Sequence, residues 1–211
     1  MINRYQSIIW DWNGTLLNDM QLCVHTINEM LEKRNLPLQS LSSYKNVFSF
    51  PVKDYYQKIG FDFENEPFEI PAMEFIDRYN HQVSGCSLHE DSLRVLNYFQ
   101  SAGIRQFVLS AMHQDILDEC LKHYQIDHFF EHVSGLDNHF AVSKTENGHR
   151  LIAELGLHPN ELILIGDTVH DFEVARELGC ECILIANGHQ SKEVLQKTGV
   201  AVVDRLEQLL V

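Results

Sequence analysis

Basic residues are scarce in this chain: 16 lysines and arginines face 30 aspartates and glutamates, giving a formal net charge of -14. Nucleic-acid backbones and anionic membrane surfaces select basic proteins, so neither is an expected partner. A small phosphorylated ligand stays open, because it needs only one local positive group or a metal. Cysteine provides no scaffold. Cys23, Cys86, Cys120, Cys180 and Cys182 are scattered, odd in number and form no C-x-x-C pair. They read as reduced, packed thiols, which points to the cytoplasm. There is no apolar run long enough to span a membrane. No secretory leader is expected either, since the apolar run that follows Asn3, Arg4, Tyr5 and Gln6 is stopped by Asp11. Internal repeats, low-complexity tracts and long charge runs are absent as well. What is left is 211 residues, 45% hydrophobic and 22% charged, an ordinary globular composition. That length allows one large domain, or a main domain with a smaller insert.

The stretch from Ile8 to Leu16 organises the rest. Ile8, Ile9 and Trp10 form a short apolar run that Asp11 cuts off, and Trp12, Asn13, Gly14 and Thr15 follow at once. This pattern predicts a buried strand breaking into a tight loop. Such a loop lifts Asp11 to the carboxyl edge of a sheet, where open α/β folds bind ligands. Backbone N–H groups at Gly14 and Thr15 are then expected to receive an anion.

Further along, apolar positions at Leu22, Val24, Ile27, Met30 and Leu31 predict a helix from about Asp19 to Arg34, capped by Asn18 or Asp19. From Gln39 to about Val83 the chain reads as short helices with aromatic-rich joints and no alternating strand. From Ser87 onward helices and apolar strands alternate. A helix ending at Gly103 precedes a strand over 104–111, and a second helix carries Ile116, Leu117, Cys120, Leu121 and Tyr124. A weak strand near 131–135 leads to a helix from Ser143 to Leu155, the strand 162–165 ending in Gly166-Asp167, a helix to Leu178, and a strand over 181–186. The expected fold is α/β: a Rossmann-like parallel sheet core with helices on both faces, built from residues 1–16 and 86–211. An all-helical cap, residues 17–85, is inserted after the first strand.

In a parallel sheet all carboxyl ends share one edge, so side chains distant in sequence meet there. The first strand delivers Asp11, the second Ser110 with Ala111, and the fourth Asp167 with Asp171 four residues on. Lys144 opens the helix before that fourth strand. Crowded carboxylates need a cation, and a hard, oxygen-lined site suits Mg2+. The metal and Lys144 would neutralise a phosphoryl group while Ser110 and the loop N–H groups bond its oxygens.

Asp11-Trp12-Asn13-Gly14-Thr15-Leu16, the Leu109-Ser110 strand end, Lys144 and Gly166-Asp167 with Asp171 resemble the four motifs of the haloacid dehalogenase-like hydrolases, in order and over nearly the whole chain. Phe50-Pro51-Val52 with Asp54-Tyr55-Tyr56, together with the helical insert, looks most like the phosphoglycolate phosphatase-like branch. The resemblance implies a Mg2+-dependent hydrolase of small phosphorylated metabolites. Asp11 would be the nucleophile that forms an aspartyl-phosphate. Asp11, the Asn13 carbonyl and Asp167 would hold Mg2+, assisted by Asp171. Ser110, Ala111, Lys144, Gly14 and Thr15 would receive the phosphoryl group.

Asn13 departs from that pattern. The resembling phosphatases carry an aspartate there that protonates the leaving oxygen, and an amide cannot exchange a proton at neutral pH. Three consequences stay open: substrates with good leaving groups, a proton donor elsewhere, or slow turnover with a long-lived aspartyl-phosphate. Rival readings are a phospho-acceptor domain, a phosphate-binding protein without turnover, and carbon–halogen cleavage.

Each residue also has an ordinary reading. Ser110 alone is a strand-end serine, Lys144 a solvated helix-start lysine, and Asp171 a charge favoured at a helix N-terminus. His128 and His132 lie four apart, but no helix face or cysteine joins them, which argues against zinc. Trp12 could face the insert and shape a substrate entrance, and Phe48, Phe50, Tyr55 and Tyr56 read either as helix packing or as a substrate wall. The sequence says nothing of oligomeric state.

Overall fold

The computed structural model describes residues 2, 4–137 and 143–210. Its frame is a six-stranded parallel sheet with β1 (Ser7–Trp10) near the middle. The order is β5-β4-β1-β6-β7-β8, where β4 is Arg105–His113, β5 His132–Leu136, β6 Leu162–Gly166, β7 Glu181–Ile185 and β8 Ala201–Val203. Trp10 pairs with Val108 of β4 on one side and with Ile165 of β6 on the other.

Alternation along these strands explains why the sheet is covered twice. Ile8, Trp10, Ile163 and Ile165 join one core cluster, whereas Ile9, Leu162 and Leu164 join a second. Successive side chains of a strand point to opposite faces, so the two clusters are the two faces of the sheet. The first is closed by α5 (Ser92–Ser101), through Val95, Leu96 and Phe99, and by α6 (Gln114–His123), through Leu117 and Leu121. The second is closed by α7 (Lys144–Leu155), through Leu151, and by α8 (Val169–Leu178), through Val174 and Leu178. A continuously apolar strand with helices on both faces is what a buried parallel sheet requires.

Between β1 and the second half of the sheet the chain builds four helices: α1 (Met20–Lys33), α2 (Leu41–Val47), α3 (Val52–Lys58) and α4 (Glu69–Asn80). The helix α1 packs along α4. Just past α1, Arg34 donates to Glu66 at 2.7 and 2.8 Å and to Glu74 of α4 at 2.8 Å. Where this segment leaves and rejoins the core, Leu17 pairs with Leu88 and Asn18 with Ser87 in a two-stranded antiparallel ribbon, β2 (Leu17–Asn18) with β3 (Ser87–Leu88). The ribbon is too short to alternate in sequence, and so is β8, and neither was expected. Among the described residues no helix is long and apolar enough to cross a membrane, and the five cysteines are free thiols.

Candidate active site

The Asp11 N–H donates to the Ile165 carbonyl at 2.8 Å, which continues the β1–β6 pairing one residue past β1 and fixes the carboxylate at the sheet edge. Strand β6 runs parallel beside it, so Asp167, one residue past Gly166, reaches the same edge. Lys144 is the first residue of α7, whose start is set by a capping box: Ser143 Oγ accepts the Glu146 N–H at 3.2 Å, and Glu146 accepts the Ser143 N–H at 2.8 Å. From there the Lys144 ammonium donates to Asp11 and, at 2.6 Å, to Asp171 Oδ1. The other oxygen of Asp171 accepts from Thr168 Oγ1 at 2.7 Å, Thr168 N at 3.0 Å and Asp167 N at 3.2 Å, capping α8. Asp171 thus fills the helix-start role and also pairs with Lys144. Carboxylate oxygens of Asp11, Asp167 and Asp171 lie within 4.8 Å of one another, and all three residues are buried.

Three buried carboxylates around one ammonium leave negative charge uncompensated, and the proton affinities record it. Burial raises the Asp11 carboxyl to about 6, with Asp171 adding to the rise and Lys144 opposing it. Burial raises Asp167 to about 8, eased by His189 and aggravated by Asp11 and Asp171. The Asp171 carboxyl also suffers from burial, but the Lys144 charge and its hydrogen bonds outweigh this and hold it below the usual range. Lys144 is correspondingly harder to deprotonate, the two carboxylates overcoming the cost of its burial. A divalent cation among the carboxylate oxygens would remove this imbalance, and hard oxygen donors suit Mg2+.

Two glycines let the backbone close around Asp167. Gly14 has φ of 76°, and a Cβ there would run into Asp167 and His189; a Cβ at Gly188 would also strike Asp167. The expectation that the Gly14 and Thr15 amides await an anion needs correction. The Gly14 N–H donates to the Leu17 carbonyl and to Asp19 Oδ1, both at 2.9 Å, and the Thr15 N–H to the Trp12 carbonyl at 3.3 Å. The loop turns so tightly that its own carbonyls and a neighbouring carboxylate take these donors. Thr15 instead reaches the site through its hydroxyl, which donates to Asp167 Oδ1 at 3.2 Å. Ser110 sits at the expected edge, but its hydroxyl accepts the Met112 N–H at 3.0 Å, because β4 runs on to His113. Ala111, Met112 and His113, rather than Ser110, line the cavity in front of Asp11. Trp12 is buried against Tyr124 and forms no entrance.

Asn13 points toward the helical segment. Its amide donates to Asp19 Oδ2 at 2.9 Å and to Tyr79 Oη at 2.7 Å, while Tyr79 donates to the same Asp19 oxygen at 2.7 Å. Asp19 Oδ1 lies 3.1 Å from His189 Nε2, and Nδ1 of that ring lies 2.9 Å from Tyr44 Oη. Asp19 stands at the N-cap position of α1 but makes no capping bond, since its oxygens are taken by this network. Burial would raise the Asp19 carboxyl, but His189, Tyr79 and Asn13 hold it down to about 2. The burial of His189 disfavours its charged form, and Asp19 more than restores it, to about 9. Neither residue was singled out in the sequence. The sequence marks Asp19 only as a helix cap, and Gly188 and His189 lie in the loop after β7, at the same sheet edge as Asp11 and Asp167. Cys23 also comes near, its thiol 3.7 Å from Asp19 Oδ2.

In front of these groups opens a cavity of about 420 Å³ that reaches from Asp11, Lys144 and Asp167 up to Tyr44, Phe48 and Phe75. Phe48, Phe50, Tyr55 and Tyr56 all lie on its wall, so the packing cluster also lines the cavity.

Comparison with known proteins agrees with this geometry. A 5′-nucleotidase from Pseudomonas aeruginosa is 22% identical over 200 residues, covering 92% of this chain and 88% of the relative. A phosphoglycolate phosphatase from Caulobacter vibrioides is 24% identical over 197 residues, covering 89% and 82%. The crystal structure of a predicted phosphatase from Clostridium acetobutylicum superposes with a TM-score of 0.83 at 18% identity, over 97% of this chain and 96% of that one. The family profile described as haloacid dehalogenase-like hydrolase matches residues 8–185, and the chain belongs to that family of hydrolases.

Proposed function

We propose that this protein is a Mg2+-dependent phosphatase of small phosphorylated molecules that works through an aspartyl-phosphate on Asp11. The observation that carries the reading is the meeting of Asp11, Lys144, Asp167 and Asp171 at one sheet edge, facing a cavity. The names of the relatives, a 5′-nucleotidase and a phosphoglycolate phosphatase, support phosphate ester hydrolysis.

Asp11, the Asn13 carbonyl and Asp167 would hold Mg2+, with Asp171 contributing charge from behind, its own oxygens being engaged by Lys144 and Thr168. When bound, the ion supplies positive charge to the phosphoryl oxygens. Lys144 orients Asp11 and shares its charge, so the outer carboxylate oxygen is presented to phosphorus. Attack forms the Asp11–phosphorus bond and breaks the ester bond, and the leaving oxygen takes the electron pair. Water then attacks phosphorus and regenerates the Asp11 carboxylate. Ala111 sets the cavity wall beside Asp11, while Ser110 holds the end of β4 in place by accepting the Met112 N–H. The helices over residues 17–85 act as a cap that excludes bulk water during these steps. Five free thiols and the absence of a membrane-crossing helix among the described residues suit action in the cytoplasm.

The test is phosphate release with Mg2+ from a panel of acyl, aryl and alkyl phosphates, acetyl phosphate included. Release that disappears in Asp11→Asn supports the reading. No release from any member, with Mg2+ shown to bind, overturns it.

A further inference from the structure

The chamber above the carboxylates restricts what the phosphoryl group can be attached to, provided the phosphatase reading holds. Its upper wall is made by Tyr44, Phe48, Tyr55 and Phe75, with Ile76 from α4 and Met112 from β4. The rings of Tyr44, Phe48 and Tyr55 contact one another at centroid distances of 5.1 to 5.8 Å, giving a continuous aromatic surface. Among the described residues, the lining groups able to carry positive charge are Lys144, His113, His170 and His189. Lys144 is already held between Asp11 and Asp171, and His189 is paired with Asp19 at 3.1 Å. His170 stacks on Phe50 at 4.7 Å and has the Glu173 carboxylate 3.6 Å from its ring. His113 is half-buried, with Asp115 at 3.9 Å. Among the described residues no arginine lines the chamber. A carboxylate or second phosphate on the substrate would therefore lose water without gaining a counter-charge. A polyol would fare little better, because its hydroxyls would meet ring faces.

One residue of this wall carries a buried polar atom without a partner. The Tyr55 hydroxyl is buried and bonded to nothing, while the hydroxyls of Tyr44 and Tyr79 are engaged by His189 and Asp19. Buried hydroxyls are rarely left so, and a ligand group placed there would satisfy it. The acid-side chemistry adds a second constraint. Asn13, two residues past Asp11, carries an amide that cannot give up a proton, so the leaving oxygen departs as an anion. A phenolate, whose acid has a pKa of roughly 10, leaves far more readily than an alkoxide of roughly the basicity of hydroxide.

We propose that the substrate is the phosphate monoester of a neutral aromatic alcohol, its ring lying among Tyr44, Phe48, Tyr55 and Phe75 and one ring substituent meeting the Tyr55 hydroxyl. In the reaction the Asp11 carboxylate bonds to phosphorus, the ester oxygen leaves as a phenolate with the bonding pair, water releases phosphate from Asp11, and the phenolate takes up the proton that water sheds. A cavity of about 420 Å³ accommodates a one- or two-ring group with its phosphate.

Two measurements on the full chain with Mg2+ test this. The first compares kcat/KM for phenyl, naphthyl and hydroxyphenyl phosphate with that for phosphoglycolate, glycerol phosphate and adenosine monophosphate. The second removes leaving-group chemistry by comparing the binding of two phosphonates that cannot be hydrolysed, benzylphosphonate and phosphonopropionate. The aryl esters should be turned over best, and benzylphosphonate should bind at least about tenfold more tightly than the carboxylate-bearing phosphonate. Ile76→Arg, which places a cation on the wall, should reverse that binding order. Equal or tighter binding of phosphonopropionate, or a preference for adenosine monophosphate or phosphoglycolate, overturns the substrate class and leaves the phosphatase reading in place. Tight benzylphosphonate binding with no phosphate release from any ester overturns the phosphatase reading and keeps the recognition.

Discussion

Lys144 and Asp171 form a buried ion pair at 2.6 Å, and the same ammonium also bonds Asp11, so one cation serves two carboxylates, one just past β1 and one in the first turn of α8. Its partners explain why a lysine is tolerated with only 5% of its surface exposed. Removing one member of such a group strands the others. Lys144→Met should cost about 3 kcal/mol or more at neutral pH, by analogy with broken buried pairs. It should also abolish phosphate release. Urea unfolding monitored with and without Mg2+ reads the first effect; a stability within about 0.5 kcal/mol of the parent would show the pair to be slack.

Asp11→Asn keeps the shape and removes both the proposed nucleophile and a burdened charge. Burial raises the Asp11 carboxyl to about 6, so its ionised form is a liability to folding above that pH. The variant should show no turnover while unfolding at an equal or higher temperature at pH 7.5 in the absence of metal. Residual steady-state turnover would place the nucleophile elsewhere.

Asp167 gives a pH dependence with a definite sign. Its carboxyl is raised to about 8 in the fold, against 3.8 for the free group. The folded state therefore holds a proton that the unfolded chain has released. As pH climbs from about 4 toward about 8, the metal-free protein should lose stability on account of this group. Mg2+ competes with that proton, so its stabilising effect should grow across the same interval. Melting temperatures with Mg2+ and with a chelator, at pH 5.5 and 8, test this: the gap should be wider at pH 8. An unchanged gap would mean that the ion does not meet Asp167.

The sequence revealed the frame of the molecule better than its polar wiring. Runs such as Ile8-Ile9-Trp10 and Leu162-Ile163-Leu164-Ile165 are apolar without alternation, which only a strand buried on both faces allows, and parallel pairing then sent Asp11 and Asp167 to one edge. The same reasoning found Lys144, because it opens a helix feeding that edge. It could not show how Gly14 turns its N–H toward Asp19, nor that Asp19 abandons its capping role. Those outcomes depend on which partner wins a buried carboxylate, a contest among Tyr79, His189 and Asn13 that are far apart in the chain. His189 lies four residues past the end of β7, so the edge rule reaches it, but no pattern around it marks it as the partner of Asp19. Ser110 was placed at the right strand end, yet two further residues of β4 gave its hydroxyl a local donor.

The pair formed by Asp19 and His189 has its own titration. His189 is raised to about 9 from 6.5, so its contribution to stability is complete below about 6.5 and fades as pH rises through about 9. Asp19, lowered to about 2, contributes above about 4 and fails only in strong acid. The stability difference between the parent and His189→Gln, measured by urea unfolding, should therefore be larger at pH 6 than at pH 9.5, by up to about 3 kcal/mol. A difference independent of pH would mean that the imidazole is neutral in the fold.

Asn13→Asp asks whether protonation of the leaving oxygen limits turnover. The new carboxyl would occupy the position of an amide that now lies 2.9 Å from Asp19 Oδ2 and 2.7 Å from Tyr79 Oη. Two carboxylates at that separation repel, so the introduced group should be raised well above the ordinary range and held protonated near neutrality, the state a general acid needs. The cost is a lost donor to Asp19 and a fresh burial penalty, together about 1–3 kcal/mol of stability. Rates on alkyl phosphates should rise by about 10²-fold or more if proton transfer is limiting, while aryl and acyl phosphates, whose leaving groups need little help, should change by far less. The ratio of alkyl to aryl kcat/KM in the parent and in Asn13→Asp isolates the effect from any general loss of folded protein. A ratio that does not move would show that another group already donates the proton, and attention would pass to the Tyr79 hydroxyl, which reaches both Asn13 and Asp19.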